Sequence, residues 1–231
     1  MIYFEDDSVV ARLAQEAPQN INKTAYRTHG YFQNKDGFFA ATHNRVVPMM
    51  IFGEHNMQNL SAAKEVCIAS GITEDDFYSA IRSFEGTSKR LQKLKENEKG
   101  IVYLDFAHSP SKVKATTEAI TERYKGRKII ACLELHTYSS LNSDFLPNYR
   151  GTLDRVVDSF VYFNPHALEL KKLPPVSVQT IAAAFGNNCL KVFDDSDVMF
   201  SEIKKLKYDN PVYLFMSSGD FNGFELSSLL D

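Results

Sequence analysis

From residue 101 onward, strand-like and helix-like segments alternate without a break, and this alternation constrains the fold more than any other feature of the sequence. Short runs rich in Val, Ile and Phe predict the strands, and apolar residues at 3.6-residue spacing predict the helices. The predicted strands span 101–106, 128–134, 159–163, 190–193 and 212–216, and the predicted helices span 111–124, 144–150, 176–185, 197–206 and 223–230. Strict alternation favours an α/β fold with a doubly wound, mostly parallel sheet. Such a sheet binds ligands outside the carboxyl ends of its strands.

The first third of the chain mixes element types and predicts a partial, mixed α/β domain. Asp7 is placed to cap a first helix, Asn34 to Gly37 predict a hairpin turn, and Thr73 has the spacing of a capping box with Asp76. The predicted strands are 1–4, 31–33, 38–41 and 45–52, and a helix runs from residue 56 to about residue 71. A strand that starts at residue 1 predicts that the chain is part of something longer. Residues 86–100 are rich in Lys, Glu, Gln and Asn and are predicted to form a linker.

Composition disfavours several classes of protein. The 231 residues carry a formal charge of -3, so no strongly basic surface favours nucleic acid or an anionic membrane. Cys67, Cys132 and Cys189 lie far apart in apolar runs and predict reduced core residues, without disulfides or a metal site. No apolar segment reaches the roughly 18 to 20 residues of a membrane helix, and no signal-like segment opens the chain. We therefore expect a cytoplasmic protein.

Polar side chains follow three of the predicted strands. Asp105 and His108 lie at the carboxyl edge of the first strand, His136 and Ser139 follow the second, and Ser218 and Asp220 follow the last. A carboxylate suits a ribose hydroxyl pair, and a histidine suits a phosphate or a polar ring. Hydroxyl groups before a helix start suit an anionic or zwitterionic group. By local pattern, a capped loop with a surface histidine explains residues 105–110 as well as a ligand site does.

Residues 53–59, Gly-Glu-His-Asn-Met-Gln-Asn, place three polar side chains where a buried helix is predicted to begin. Asn56 and Asn59 are three residues apart and share a helix face. An amide both donates and accepts, which suits the edge of an adenine ring. Spacing alone favours a plainer interpretation, in which Asn56 caps the helix and His55 is a hydrogen-bonded turn residue.

Several sharper motifs are absent from the sequence. It contains no G-x-x-x-x-G-K-[ST] phosphate loop, no G-x-G-x-x-G, no G-x-S-x-G and no histidine pair at metal-ligand spacing on a helix. His108 beside Ser109 does not indicate a nucleophile, because adjacent residues seldom face each other productively. No catalytic residue and no metal ligand is predicted within this chain.

Three motifs, in order along the chain, resemble those of the ATP-dependent Mur ligases, which build the peptide of bacterial cell-wall precursors. Residues 53–59 resemble the G-x-H-N-x-x-N segment of the family's central domain. Residues 84–90, Phe-Glu-Gly-Thr-Ser-Lys-Arg, resemble its F-x-G-x-x-x-R junction, and residues 105–110, Asp-Phe-Ala-His-Ser-Pro, resemble the D-[YF]-A-H-x-P that opens its C-terminal domain. Three motifs at domain-like spacing outweigh the plainer local interpretations.

The resemblance implies the back half of a family member. Residues 1–83 would be the C-terminal part of the central ATPase domain, and residues 84–231 the complete, Rossmann-like C-terminal domain, with a hinge near residues 85–91. The N-terminal domain that holds the UDP-sugar, the phosphate loop, the magnesium ligands and a modified lysine would lie elsewhere. The fragment is therefore expected to be inactive by itself.

The resemblance is closest to the branch that joins UDP-N-acetylmuramate to L-alanine or to the murein tripeptide L-Ala-γ-D-Glu-meso-diaminopimelate. Phe106-Ala107-His108 and the single Arg90 favour the tripeptide-adding subgroup, although Ser109 replaces a more usual second histidine. In such enzymes ATP phosphorylates a carboxylate and an amine attacks the acyl phosphate. The expected cofactors are ATP and magnesium. The expected partners are UDP-N-acetylmuramate and an amino acid or the tripeptide, and we expect a monomer or weak homodimer.

The resemblance also implies a role for each matched residue. Asn56 and Asn59 would contact adenine, and His55 would line that pocket. Arg90 would touch the phosphates, Asp105 the ribose, and His108 the phosphate side. The candidates for binding the incoming amine substrate are His136, Ser139, Ser218 and Asp220.

Two alternatives stay open. The chain would be a non-catalytic α/β module if its strand ends bind a small ligand other than a nucleotide. It would be part of a folylpolyglutamate synthase if a folate-binding front end precedes it, because that enzyme shares the C-terminal domain.

Overall fold

In the computed structural model, which describes all 231 residues, the chain forms two units, Met1–Gly86 and Thr87–Asp231. The assignment of residues 1–83 and 84–231 to two domains of the family stays a prediction. Each unit has its own sheets and its own buried side chains.

The first unit combines two small sheets with three helices. Its elements are β1 (Ile2–Phe4), α1 (Ser8–Glu16), β2 (Thr24–Tyr26), β3 (Tyr31–Asn34), β4 (Gly37–Ala41), β5 (Val46–Met49), α2 (Glu54–Ala69) and α3 (Glu74–Ile81). β1 pairs with β2 in parallel, and β3, β4 and β5 form an antiparallel sheet. Asp7 caps α1, Asn34 accepts from the amides of Asp36 and Gly37 in the hairpin turn, and Thr73 caps α3. These three local predictions are confirmed.

The second unit is built on one six-stranded sheet. Its elements are β6 (Gln92–Asn97), β7 (Gly100–Asp105), α4 (Pro110–Arg123), β8 (Ile129–Leu135), β9 (Asp158–Phe163), α5 (Pro165–Leu170), α6 (Val178–Phe185), β10 (Leu190–Phe193), α7 (Ser196–Lys204) and β11 (Val212–Met216). The strand order is β10-β9-β8-β11-β7-β6, and only β6 runs antiparallel to its neighbour. The predicted doubly wound, mostly parallel sheet is confirmed.

The strands of this sheet are apolar because helices cover both faces. One face packs α7 against side chains such as Ile130 and Phe215, in a cluster that also contains Phe221 and Leu230 from the end of the chain. On the other face, Thr117 of α4 contacts Met216 of β11. The central strands β8 and β11 are buried along their whole length. Their carboxyl ends are therefore held at fixed positions.

Three sequence-based predictions about this unit are wrong. The predicted linker 86–100 contains β6, an edge strand whose charged residues face solvent while Leu94 packs on the core. The predicted helices 144–150 and 223–230 are short 3-10 turns at Leu146–Tyr149 and Leu226–Leu230. Pro165–Leu170 forms a helix that the sequence pattern did not predict. A charge pattern or a short apolar run does not by itself distinguish a strand from a linker, or a helix from a 3-10 turn, because the neighbouring strand also decides the structure.

No helix of the chain is both long enough and apolar enough to cross a bilayer.

Candidate functional site

The carboxyl ends of β7, β11 and β8 meet at one edge of the sheet. Met216, the last residue of β11, is in register with Asp105 on one side and with Leu133 on the other. The Ser217 amide then donates to the Asp105 carbonyl oxygen at 3.0 Å. This edge therefore brings together the three polar segments predicted from the sequence.

Asp105 is a buried carboxylate whose two oxygens are both hydrogen-bonded. Asp105 is 4% exposed. Oδ1 accepts from the Ala107 amide at 2.7 Å and from the Thr116 hydroxyl at 3.3 Å, and Oδ2 accepts from the Leu91 amide at 2.7 Å. The carboxylate thus connects the end of β7 to the loop that precedes β6.

Arg90, Phe106 and His108 form a stacked cluster beside Asp105. The Arg90 guanidinium lies 5.4 Å from the centre of the Phe106 ring, and the His108 ring meets the Phe106 ring edge-on with centroids 5.1 Å apart. His108 Nδ1 donates to the Phe106 carbonyl oxygen at 2.8 Å, since that oxygen can only accept. Nε2 is then the ring nitrogen available to a ligand. The Tyr149 hydroxyl donates to the His108 carbonyl oxygen and so holds the loop between β7 and α4.

The predicted start of α4 is confirmed, with Ser109 as the capping residue and Pro110 in the first turn. The Ser109 hydroxyl makes no capping hydrogen bond. The cluster thus sits at a helix N-terminus, where the exposed guanidinium and the amide groups favour an anionic ligand.

Glu134 is a site residue that the sequence analysis missed. It is 4% exposed at the end of β8, and its Oε2 accepts from the Ser217 hydroxyl and from the Phe221 amide, the latter at 3.0 Å. His136 Nδ1 lies 3.9 Å from Glu134 Oε1, which is too long for a hydrogen bond but close enough for an ionic attraction. The available signal was a single acidic residue inside an otherwise apolar strand.

The remaining candidates for an amine substrate have different environments. Ser139 is exposed in a turn whose Thr137 and Ser140 cap each other through reciprocal hydrogen bonds. Ser218 Oγ is buried without a hydrogen-bond partner, whereas Asp220 is exposed. His136 is therefore near Glu134 and the Ser218 hydroxyl is buried, whereas Ser139 and Asp220 face solvent.

In the first unit, α2 begins at Glu54, with Gly53 as the capping residue in a left-handed conformation (φ +89°). Asn56 Nδ2 donates to the Phe52 carbonyl oxygen at 2.8 Å, so the interpretation of Asn56 as a helix cap is wrong. Asn59 is exposed one turn further along, and His55 is partly buried. Asn59 thus keeps its amide free for a ligand, while Asn56 anchors the helix start to the preceding segment.

The first unit also contains a polar cavity of about 510 Å³ that the sequence analysis did not predict. His29, Arg45, Lys64, Glu74 and Tyr78 are among its lining residues. The Tyr78 hydroxyl lies 2.6 Å from His29 Nε2, while Nδ1 bonds to the Gly30 carbonyl oxygen. Burial raises the pKa of Tyr78 to about 12. Its phenol is therefore a persistent hydrogen-bond donor to His29.

No group of three or more His, Cys, Asp or Glu side chains is placed to hold a metal ion. In the second unit, the exposed guanidinium of Arg90 has the donors that suit a phosphate. In the first unit, the exposed amide of Asn59 can both donate and accept hydrogen bonds.

Comparison with known proteins agrees with the geometry. Residues 89–219, more than half of the chain, match the family model described as "Mur ligase, glutamate ligase domain". A UDP-N-acetylmuramate--L-alanine ligase from Brachyspira hyodysenteriae is 27% identical over 235 residues, which cover 93% of this chain and 49% of that protein. The chain thus spans about half the length of the curated relative it matches.

Solved structures share the fold at low sequence identity. A UDP-N-acetylmuramate-alanine ligase from Thermotoga maritima superposes with a TM-score of 0.68 at 15% identity, over 96% of this chain and 49% of that one. A murein peptide ligase from Psychrobacter arcticus gives 0.62 at 17%, over 99% and 50%. A folylpolyglutamate synthase from Mycobacterium tuberculosis, complexed with ADP and AMPPCP, gives 0.58 at 13%, over 90% and 48%. The fold alone therefore does not separate these enzymes.

Proposed function

Because this chain belongs to the Mur ligase family, we propose that it supplies the back half of an ATP-dependent ligase that forms an amide bond in peptidoglycan synthesis or recycling. The substrate is UDP-N-acetylmuramate, whose carboxylate is activated as an acyl phosphate and joined to the amino group of an amino acid or a murein tripeptide. By itself the chain is inactive. Its residues bind and position the reactants, and such positioning accounts for much of the rate enhancement in reactions of this kind.

The observation that carries the proposal is the cluster of Arg90, Phe106 and His108 at the start of α4. The exposed guanidinium of Arg90 lies 5.4 Å from the centre of the Phe106 ring, a cation–π contact that restrains its position. A planar guanidinium with several donors is well suited to phosphate oxygens. The relative and the family model support the assignment of these phosphates to ATP.

We assign the base end of the nucleotide to the first unit. Asn59 would read the edge of adenine with its free amide, and His55 would line the same pocket. Asn56 can contribute its amide oxygen and one Nδ2 hydrogen, because the other Nδ2 hydrogen is donated to the Phe52 carbonyl oxygen. In the second unit, Arg90 and His108 would bind the phosphate side of the nucleotide. ATP when bound supplies the phosphoryl group that activates the carboxylate.

We assign the amine substrate to the edge beside Glu134. His136 and Ser218 would lie nearest to the amine, with Ser139 and Asp220 at the outer rim. The identity of the amine stays a prediction: L-alanine is named by the curated relative, and the peptide is named by one of the structures with the same fold. Magnesium, the cytoplasmic location and a monomer or weak homodimer also stay predictions, with the magnesium ligands and the phosphate loop placed outside this chain.

Isothermal titration calorimetry with ATP tests the proposal. This chain alone should bind ATP weakly or undetectably, and it should bind clearly when a polypeptide that carries the phosphate loop completes it. Asn59→Ala should weaken that binding about tenfold, and Ser139→Ala, on the amine side, should leave it unchanged. Strong ATP hydrolysis by the chain alone would refute the proposal.

The alternatives give different results in the same system. A non-catalytic α/β module would be indifferent to Asn59→Ala. A folylpolyglutamate synthase would turn over a folate substrate and ignore UDP-N-acetylmuramate.

A further inference from the structure

The loop that carries Arg90 has an unusual backbone. Lys89 and Leu91, on either side of Arg90, adopt left-handed conformations with φ values of +55° and +46°. Residues other than Gly, Asn and Asp pay roughly 1 to 2 kcal/mol for this conformation, and a branched residue such as Leu is rare there. Such a backbone persists only where the surrounding structure imposes it.

Two hydrogen bonds from the end of β7 impose this conformation. The Leu91 amide donates to Asp105 Oδ2 at 2.7 Å, and the Phe106 amide donates to the Lys89 carbonyl oxygen at 2.6 Å. Burial of the Leu91 side chain, which is 7% exposed, adds a third restraint. Residues 89–91 are therefore held against β7 on both sides of Arg90.

Arg90 itself is not held by an ion pair. Its amide donates to the Thr87 carbonyl oxygen at 3.0 Å, and its guanidinium lies over the Phe106 ring. The direction of the side chain consequently depends on the backbone of residues 89–91. A change in that backbone would therefore displace the guanidinium from the Phe106 ring.

Asp105 has little capacity left for a ligand. Its carboxylate accepts three hydrogen bonds and is almost fully buried, and the two backbone donors, Leu91 and Ala107, are on different oxygens. An asparagine has only one acceptor oxygen. At position 105 its amide nitrogen would therefore face one of those two N–H groups.

We propose that Asp105 is a positioning residue, which serves the nucleotide by holding Arg90 in place through the Leu91 amide rather than by binding the ribose. The inference rests on the proposed function, in which Arg90 binds the phosphates of the nucleotide. It predicts that replacing Asp105 weakens only the binding of the phosphates. If Asp105 bound the ribose, its replacement would weaken the binding of the nucleoside.

Nucleotide affinities of the complete ligase, this chain together with the half that carries the phosphate loop, separate the two roles. Asp105→Asn should lower the affinity for ATP about tenfold and leave the affinity for adenosine within about twofold. It should also leave the ratio of the affinities for ATP and for 2′- or 3′-deoxyATP unchanged. An equal loss for adenosine and ATP, together with loss of the discrimination against deoxyATP, would overturn the proposal.

A double-mutant cycle gives a second readout. If Asp105 acts through Arg90, then the double variant Arg90→Ala with Asp105→Asn should bind ATP no more weakly than Arg90→Ala alone. Additive losses would contradict the proposal. Thr116→Val is the matched control. It removes the hydroxyl that donates to Asp105 Oδ1 but leaves the bond from the Leu91 amide, and it should bind ATP normally.

A third readout needs no nucleotide. In this chain alone, Asp105→Ala, which removes both acceptor oxygens, should accelerate hydrogen exchange of the Leu91 amide at least tenfold, whereas Thr116→Val should not. Unchanged protection of Leu91 would refute the positioning role. A wild-type complete ligase that binds neither ATP nor adenosine would refute the proposed function, and the exchange measurement would still decide the role of Asp105.

Lys89→Gly and Lys89→Ala provide a test if Asp105→Asn does not fold. Both remove the same charge, but only glycine frees the backbone beside Arg90. ATP affinity should fall more for glycine than for alanine. Equal affinities would count against the proposal.

Discussion

Gly219 lies directly against the carboxylate of Glu134: a β-carbon added at position 219 would be 2.8 Å from Glu134 Oε2. The same oxygen is held by the Ser217 hydroxyl and the Phe221 amide, so the carboxylate cannot move aside without losing those bonds. Only glycine therefore allows the loop after β11 to close over the end of β8.

This contact predicts the effect of Gly219→Ala. The added methyl group overpacks a buried, hydrogen-bonded group, and the second unit should lose about 1 to 3 kcal/mol of unfolding free energy. Hydrogen exchange of the β8 and β11 amides measures this unit by itself. Stability equal to that of the wild type would show that the loop has another conformation.

Ser218→Ala provides a contrasting prediction at the adjacent position. The Ser218 hydroxyl is buried without a hydrogen-bond partner, so its removal relieves a desolvation cost. The second unit should keep its stability or gain up to about 1 kcal/mol, measured by the same exchange. A clear loss of stability would mean that the hydroxyl has a partner, such as a bound water molecule.

Asn56→Ala and Asn59→Ala should separate structure from binding. Asn56 donates to the Phe52 carbonyl oxygen, and its replacement should cost about 1 kcal/mol of unfolding free energy in the first unit. Asn59 is exposed, and its replacement should stay within about 0.5 kcal/mol while weakening ATP binding by the complete ligase. Chemical denaturation and calorimetry on the same two variants check this. Equal stability losses would contradict it.

Lys89 gives a prediction about backbone strain. At φ +55° a glycine has no steric cost, so Lys89→Gly should be more stable than Lys89→Ala by about 0.5 to 1 kcal/mol. The reverse order is expected at Lys114, which is exposed inside α4, where glycine costs about 1 kcal/mol relative to alanine. Urea denaturation of the four variants gives both differences. The same sign at both positions would rule out a left-handed Lys89.

Tyr78 predicts a loss of stability at alkaline pH. Burial raises its pKa from 10.0 to about 12 in the folded protein, so the folded state retains the proton that the unfolded state releases. The contribution to stability is complete below pH 10 and is lost as the pH rises through 12. The unfolding free energy of the first unit should therefore fall more steeply over this range in the wild type than in Tyr78→Phe. Parallel pH profiles would show that the phenol is not buried.

Local structure was predictable wherever one residue and its near neighbours decide it. The helix cap at Asp7, the hairpin turn at Asn34 and the cap at Thr73 depend on side-chain oxygens that meet backbone amides two or three residues away. The five strands predicted beyond residue 100, and three of the five helices predicted there, followed in the same way from apolar spacing.

The edge strand β6 shows where such reasoning stops. Its Lys and Glu residues are typical of a solvated linker, and only the antiparallel pairing with β7 makes the segment a strand. Asn56 is a similar case, because its amide bonds to a carbonyl oxygen of the preceding segment and not to the helix it was expected to cap.

The sequence by itself determined the five parallel strands beyond residue 100, the sheet they form and the motifs that relate residues 53–59, 84–90 and 105–110 to one family. Only the tertiary structure decided which polar groups at the sheet edge are buried. Asp105 and Glu134 lie at the carboxyl ends of strands, and exposed Asp220 lies just beyond another strand, yet only Asp105 and Glu134 are enclosed by hydrogen bonds from distant loops. Such enclosure depends on strands that are adjacent in space and far apart in the chain, and no local pattern records that proximity.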